Sequence, residues 1–287
     1  MSTELIAIGL GLVSAFTLAF ANLVVKATND ILVTRAILSA SCALLVAPVA
    51  FFVPLPTPEL WAAIAISIPT HFFYQMSMIR ALHRGDLSLV FPVMRGLAPL
   101  LVAIGAFVFL SETLSPIALV GLLISVVAVI SFGFLQGAKT SSTKSVSRSA
   151  LFWAGMTALG VMAYNVADAR GVRLAENPLT FVVWLFMLDW VGTMLVALIV
   201  RKDRFLAAAR PVIRNGVSGG VLSVVSYGAA LFALNMIEAA RVTAIRETAV
   251  VFGALLGWLI LKEGIGPRRI IASVILVFGL ALMQLGA

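Results

Sequence analysis

Charge is scarce in this sequence. Of its 287 residues only 11% are charged, with 20 Lys and Arg against 12 Asp and Glu. Soluble domains carry about 25% charged residues, so this chain has too few to clothe a water-facing surface. It has one cysteine, Cys42, which excludes an intramolecular disulfide. Cys42 sits in an apolar run and reads as a small buried residue rather than a reactive thiol. Histidine occurs twice. Together with a single Cys that is a poor ligand supply, so neither a metal site nor a cofactor is expected. The GxxxxGK[ST] phosphate loop, the HExxH zinc motif and Asp-rich diphosphate motifs are all missing. The sequence therefore gives no grounds for an enzyme.

What is abundant is hydrocarbon. Hydrophobic residues make up 62% of the chain, and the mean hydropathy is +1.12. This composition identifies an all-α polytopic membrane protein. A spanning helix needs about 20 mostly apolar residues. Ten segments qualify, near 4–26, 31–53, 59–80, 87–110, 115–136, 149–170, 178–200, 214–237, 241–261 and 267–286. The first lacks a basic flank and a small-residue cleavage site and reads as a retained helix. Most connections are short and marked by Pro, Gly or Asp. The stretch 137–148 is polar, rich in Ser and Thr, and reads as a flexible linker. The basic stretch 201–215 has an apolar centre and suggests a short helix at the membrane interface.

The linker separates five helices from five: residues 1–136 form one repeat and 149–287 the other. Two stretches carry the duplication, RGLAPLLVAIGAFVFLSETLSP from Arg95 and RETAVVFGALLGWLILKEGIGP from Arg246. Arg95 and Arg246, Glu112 and Glu263, and Pro116 and Pro267 are each 151 positions apart. Asp86 and Glu238 correspond at an offset one residue longer. Five helices per repeat force the two copies into opposite orientations. The basic residues agree: fourteen fall in loops on one face, three (Arg170, Arg173, Arg241) on the other, and Arg35, Arg95 and Arg246 inside helices. Positive-inside logic makes the fourteen-charge face cytoplasmic. The net charge of +8 is thus an orientation signal, and no nucleic-acid partner is expected. Both termini are expected on the outer, periplasmic side of a cell (inner) membrane.

The chain resembles the drug/metabolite transporter superfamily in its EamA-type ten-helix branch. The resemblance rests on the two tails, FLSETLSPIALVGLLISVVAV and LILKEGIGPRRIIASVILVFGLAL. Each has a helix, a Glu near a tight turn and a final helix containing Gly. It implies two inverted five-helix repeats and ATP-independent movement of amino acids and other small polar metabolites, usually outward. It does not choose among substrates.

Arg95 and Arg246 lead the candidate substrate-binding residues. By helical rise they lie about 13 and 12 Å from Asp86 and Glu238, well inside a core about 30 Å thick. Intramembrane arginine is costly and normally faces protein or a water-filled cavity, and its planar fork suits carboxylate or phosphate. Structural ion pairs are the competing reading. Glu247 adjoins Arg246 and is either a salt-bridge partner, a site for a substrate ammonium, or a proton carrier. Asp189 and His71 lie near mid-membrane, where packing roles compete with substrate or proton binding. Tyr74, Tyr227, Tyr164 and Trp190 either line a cavity or pack. Pro69, Pro92 and Pro99 fall inside helices, and Pro92 suggests a bend beside Arg95. Gly253 and Gly257 suit close helix packing.

The expectation is a secondary transporter, monomeric or homodimeric, with a small-molecule substrate and the lipid bilayer as its partners. It would export amino acids or related compounds by alternating access, with a proton as the candidate coupling ion. The alternative is a carrier of organic anions or phospho-metabolites in either direction.

Overall fold

In the computed structural model the described residues are 3–26, 28, 30–84, 87–137, 148–261 and 267–286. Most of the linker (138–147), Asp86 and Glu263 lie outside them. The chain is all-α, with 90% helix and no strand among the described residues. The helices are α1 (Thr3–Lys26), α2 (Ile31–Val46), α3 (Pro58–Arg84), α4 (Leu87–Leu110), α5 (Pro116–Gly137), α6 (Arg148–Leu174), α7 (Pro178–Arg201), α8 (Phe205–Ala209), α9 (Ile213–Met236), α10 (Ala239–Arg246), α11 (Ala249–Leu261) and α12 (Pro267–Leu285). Among the described residues six helical spans are long and apolar enough to cross a membrane by length and composition, and α5 and α12 contain shorter apolar stretches.

Local chemistry explains several boundaries. Asp30 caps α2, accepting from Val33 N at 3.2 Å, and pairs with Arg201 at 2.8 Å. Asn177 caps α7, accepting from Leu179 N at 3.0 Å, and Pro178 follows in the first turn, where a missing N–H costs nothing. Ser115 caps α5 by accepting from Ala118 N at 3.1 Å. The second span is shorter than its apolar run: α2 stops at Val46 and continues as a 3₁₀ turn, Ala47–Phe51. Pro48 lacks the N–H that would extend the α ladder. The short helix expected in 201–215 is present as α8. It follows a 3₁₀ turn, Lys202–Arg204, entered through the left-handed backbone of Lys202 (φ 45°).

The ninth apolar segment departs most from expectation. It is two helices, α10 and α11, separated by Glu247 and Thr248. Across the break the bonding tightens to i→i+3: Glu247 N to Ala244 O, Thr248 N to Ile245 O and Val250 N to Glu247 O, each at 3.0 Å. Thr248 Oγ1 adds a bond back to Ile245 O at 2.7 Å. Its counterpart α4 is helical throughout from Leu87 to Leu110, Pro92 and Pro99 included.

The helices group into two compact units, Met1–Phe72 with Ala167–Met236, and Phe73–Val166 with Ile237–Ala287. Each therefore draws on both sequence halves, and α3 and α6 contribute to both. In the first unit α9 packs on α1 and α2, and α2 on α7. Gly216 and Gly220 let α9 approach α2: a Cβ at Gly216 would lie 2.6 Å from Ile37 Cγ2, and one at Gly220 2.7 Å from Ser41 Cβ.

In the second unit α5 packs on α12 and on α4. The glycines of the two tail motifs meet here. A Cβ at Gly121 would lie 2.4 Å from Met283 N and 2.6 Å from Gly279 O, and one at Gly279 2.9 Å from Gly121 O. Small residues at such crossings allow backbone contact, the main source of helix association in lipid. Leu122, Leu276 and Met283 fill the core beside them, fully buried. Glu112, in the turn after α4, accepts from Ala239 N at 2.8 Å and so caps α10. The tight turn passes through Ser111 at φ 57°.

Candidate functional site

The helix break creates a polar group within the second unit. In a continuous α-helix the carbonyl of Arg246 would accept from Val250 N. Val250 N bonds Glu247 O instead, which releases that carbonyl from the ladder. Arg95 Nη2 takes it at 3.4 Å. The same guanidinium lies 3.1 Å by Nε from Glu247 Oε2. The Glu247 side chain is 2% exposed and that of Arg95 19%. Arg246 is buried as well, and acts on Glu247 through its charge. Two guanidiniums and one carboxylate thus share a buried space.

Two tyrosines border the group. Tyr74 and Tyr164 meet edge to face with centroids 5.1 Å apart. Both lie within Coulombic reach of Arg95, and Tyr164 also of Arg246. Asn165 is fully buried and donates to Val161 O at 2.8 Å, while Thr243 donates to its Oδ1 at 3.5 Å. The second unit therefore gathers Arg95, Arg246, Glu247 and Tyr74 of the residues expected from sequence.

The first unit gathers His71, Asp189 and Tyr227, and adds Asp168. His71 Nε2 lies 2.7 Å from Asp168 Oδ2, and Nδ1 lies 3.9 Å from Asp189 Oδ1. Tyr227 OH donates to Asp168 Oδ2, and its ring meets the imidazole edge to face at 5.4 Å. On α3 the buried polar residues Ser67, His71 and Gln75 recur every four positions, one face of the helix. Asp168 is the residue that sequence reasoning passed over. It lies inside an apolar segment, which marks an intramembrane carboxylate, but nearby Arg170 and Arg173 made it look like a helix end.

Other charges have structural work. Arg241, counted from sequence with the outer loops, is buried in α10. It bonds Glu238 at 3.1 Å and, through Nε, Gln284 Oε1 at 2.8 Å. Arg173 donates to Leu234 O in the last turn of α9 at 2.9 Å. Trp190 donates to Met187 O at 3.0 Å, and Cys42 to Gly220 O at 3.4 Å. Residues 216–220 spell GxSxG, but they lie inside α9. Ser218 there donates to Arg214 O at 2.8 Å, so the strand–turn–helix elbow that exposes a nucleophile is missing. Among the described residues no group of three or more His, Cys, Asp or Glu is placed to hold a metal ion.

Residues 1–134 and 148–285 match the model of the EamA-like transporter family. The chain belongs to that family. As an EamA-like transporter it is a multi-pass membrane protein of the drug/metabolite transporter type, and its partners are a small-molecule substrate and the lipid bilayer. A search among curated proteins found no match. Among solved structures, one crystal structure of a protein matches this EamA-like chain with a TM-score of 0.74 at 21% identity, covering 100% of this chain and 99% of its own. At that identity the likeness speaks for the fold and not for the substrate.

Proposed function

We propose that this EamA-like protein is a secondary exporter of amino acids or closely related small polar metabolites. Arg95, Arg246 and Glu247 hold the substrate's charged groups, and Tyr74 borders its apolar part. The observation that carries the reading is the buried Arg95–Glu247 pair beside a second arginine at a helix break. An amino acid brings a carboxylate and an ammonium. Its carboxylate suits the guanidiniums, and its ammonium suits Glu247. Binding then exchanges an internal ion pair for two pairs with substrate, so no buried charge is stranded. Broken helices around a buried site are a recurrent feature of carriers. The inverted sequence duplication supports alternating access by the same reasoning.

A thermal-shift screen tests the substrate class, because a ligand that binds only the folded state raises apparent stability. Amino acids are expected to raise the melting temperature in a concentration-dependent way. A response confined to phosphorylated metabolites would overturn the amino-acid assignment in favour of an anion carrier, which the two arginines would also suit. Orientation is a separate prediction. The charge asymmetry of the loops supports both termini lying outside the cell membrane, so a C-terminal alkaline phosphatase fusion should be active and a GFP fusion dark. The reverse pattern would refute the orientation.

A further inference from the structure

The segment that joins α7 to α9 carries a charge pattern for which the substrate contacts above have no use. From Arg201 to Arg214 it holds five basic residues and one acid, Asp203. Arg201 is already committed, its Nη2 lying 2.8 Å from Asp30 Oδ2. Lys202, Arg204, Arg210 and Arg214 are all exposed. Among the described residues none of these four is ion-paired. Four cations thus face outward against a single carboxylate.

The segment is anchored on the first unit along its inner side. Phe205, Ala208, Ala209 and Val212 pack on Val33 and Ile37 of α2. The Arg201–Asp30 pair fixes its start, and at its end Asn215 donates to Val24 O of α1 at 2.9 Å. Arg210 N bonds Leu206 O at 3.1 Å. That bond closes a helical turn, so Leu206 and Arg210 are neighbours on one face. Leu206 is 73% exposed and Ile213 53%. The outer face therefore alternates bare hydrocarbon with bare cations. Exposed apolar residues continue on both flanks, Ile199 and Val200 before it and Val217 and Val221 after it. In a multi-pass membrane protein such flanks face lipid. Water alone suits the cations but not Leu206. The boundary between lipid headgroups and acyl chains suits both. Phosphodiester oxygens match the guanidinium fork, and cations on an anchored segment lose little freedom when they bind.

We propose that the outer face of residues 202–214 is a binding site for anionic phospholipid. Lys202, Arg204, Arg210 and Arg214 meet the phosphates, and Leu206 and Ile213 enter the acyl-chain boundary. The site is independent of which substrate the protein carries and of which way it faces.

The test uses the full chain with Leu206→Cys, labelled there by a maleimide fluorophore. The only other cysteine, Cys42, is 3% exposed and is shielded from the label. In nanodiscs of equal phosphatidylglycerol and phosphatidylcholine, a doxyl-labelled form of each lipid is introduced in turn and dye quenching is measured. One retained basic contact at an anionic surface favours the anionic lipid about fivefold, and at least that preference is expected at low salt. Replacing Lys202, Arg204, Arg210 and Arg214 together by Gln should bring the preference close to parity. Salt at about 1 M should do the same, because the screening length then falls to about 3 Å. Equal quenching by the two lipids before the charges are removed would overturn the site, as would an undiminished preference in the four-residue variant. The salt arm needs no further substitution. A preference that survives it would count against the proposal even if the four-residue variant does not fold. Glycerol 3-phosphate at low millimolar concentration should leave the lipid preference intact; its loss would assign these cations to a soluble phosphate and overturn the lipid site.

Discussion

Arg95→Ala is expected to lower stability by about 3–5 kcal/mol, the cost of breaking a buried ion pair from one side. Glu247, 2% exposed, would lose the guanidinium 3.1 Å away. The Arg246 carbonyl, already outside the helix ladder, would lose its donor at 3.4 Å. An unsatisfied buried carbonyl adds about 1–3 kcal/mol, but Arg246 remains near Glu247 and offsets part of the total. The low end of the range is therefore the expected value. Thermal unfolding of the purified protein measures it. Adding Glu247→Gln should restore much of the loss, because no buried acid is then left without its basic partner. Additive losses in the double variant would mean that the two side chains do not depend on each other. Arg95→Lys should recover stability in part, since it keeps the charge but loses the two-point contact to Glu247 and to the carbonyl.

Arg246→Ala should behave differently. Glu247 keeps Arg95 as its partner, so the loss of stability should be smaller than for Arg95→Ala. The larger effect should fall on binding. Charge-assisted hydrogen bonds are worth about 1.5–3 kcal/mol, and 1.4 kcal/mol is a factor of ten in affinity. The dissociation constant for an amino-acid ligand found by thermal shift should therefore rise about tenfold to a hundredfold. Lysine should rescue it incompletely, because a point charge cannot reproduce the planar fork. A well-folded Arg246→Ala with unchanged affinity would remove this arginine from the substrate site.

Much of the architecture was legible because the bilayer imposes length and hydropathy on each segment. The membrane class and the all-helical architecture follow from composition and the length of the apolar segments. The break after Arg246 was not legible, since 241–261 contains no proline and its glycines fall elsewhere. The interruption uses Glu247 and Thr248, whose hydroxyl bonds back to Ile245 O, and it is stabilised by Arg95 from another helix. That partnership joins residues 95 and 247, and no local pattern encodes which acid will meet which base. Pro48, just past α2, turns the end of the second apolar run into a 3₁₀ turn, Ala47–Phe51. Arg241 was misplaced. Its sequence neighbour Glu238 looks like a watery loop, and only the tertiary contact with Gln284 brings it inside. The tail motifs became intelligible once packed: Glu112 caps α10, and Gly121 meets Gly279 at a backbone contact. Neither role bears on substrate, in keeping with a motif that identifies the family and leaves the cargo open.

The central claim is that this EamA-like chain carries a small charged metabolite across the membrane without altering it. Counterflow tests it most directly. Proteoliposomes preloaded with unlabelled amino acid are diluted into trace ¹⁴C-labelled amino acid, and internal label is followed with time. The account predicts a transient accumulation of chemically unchanged label that requires preloading and is strongly reduced in Arg246→Ala. Protein-free and protein-bearing liposomes taking up label equally, or label recovered as a chemically altered product, would contradict it.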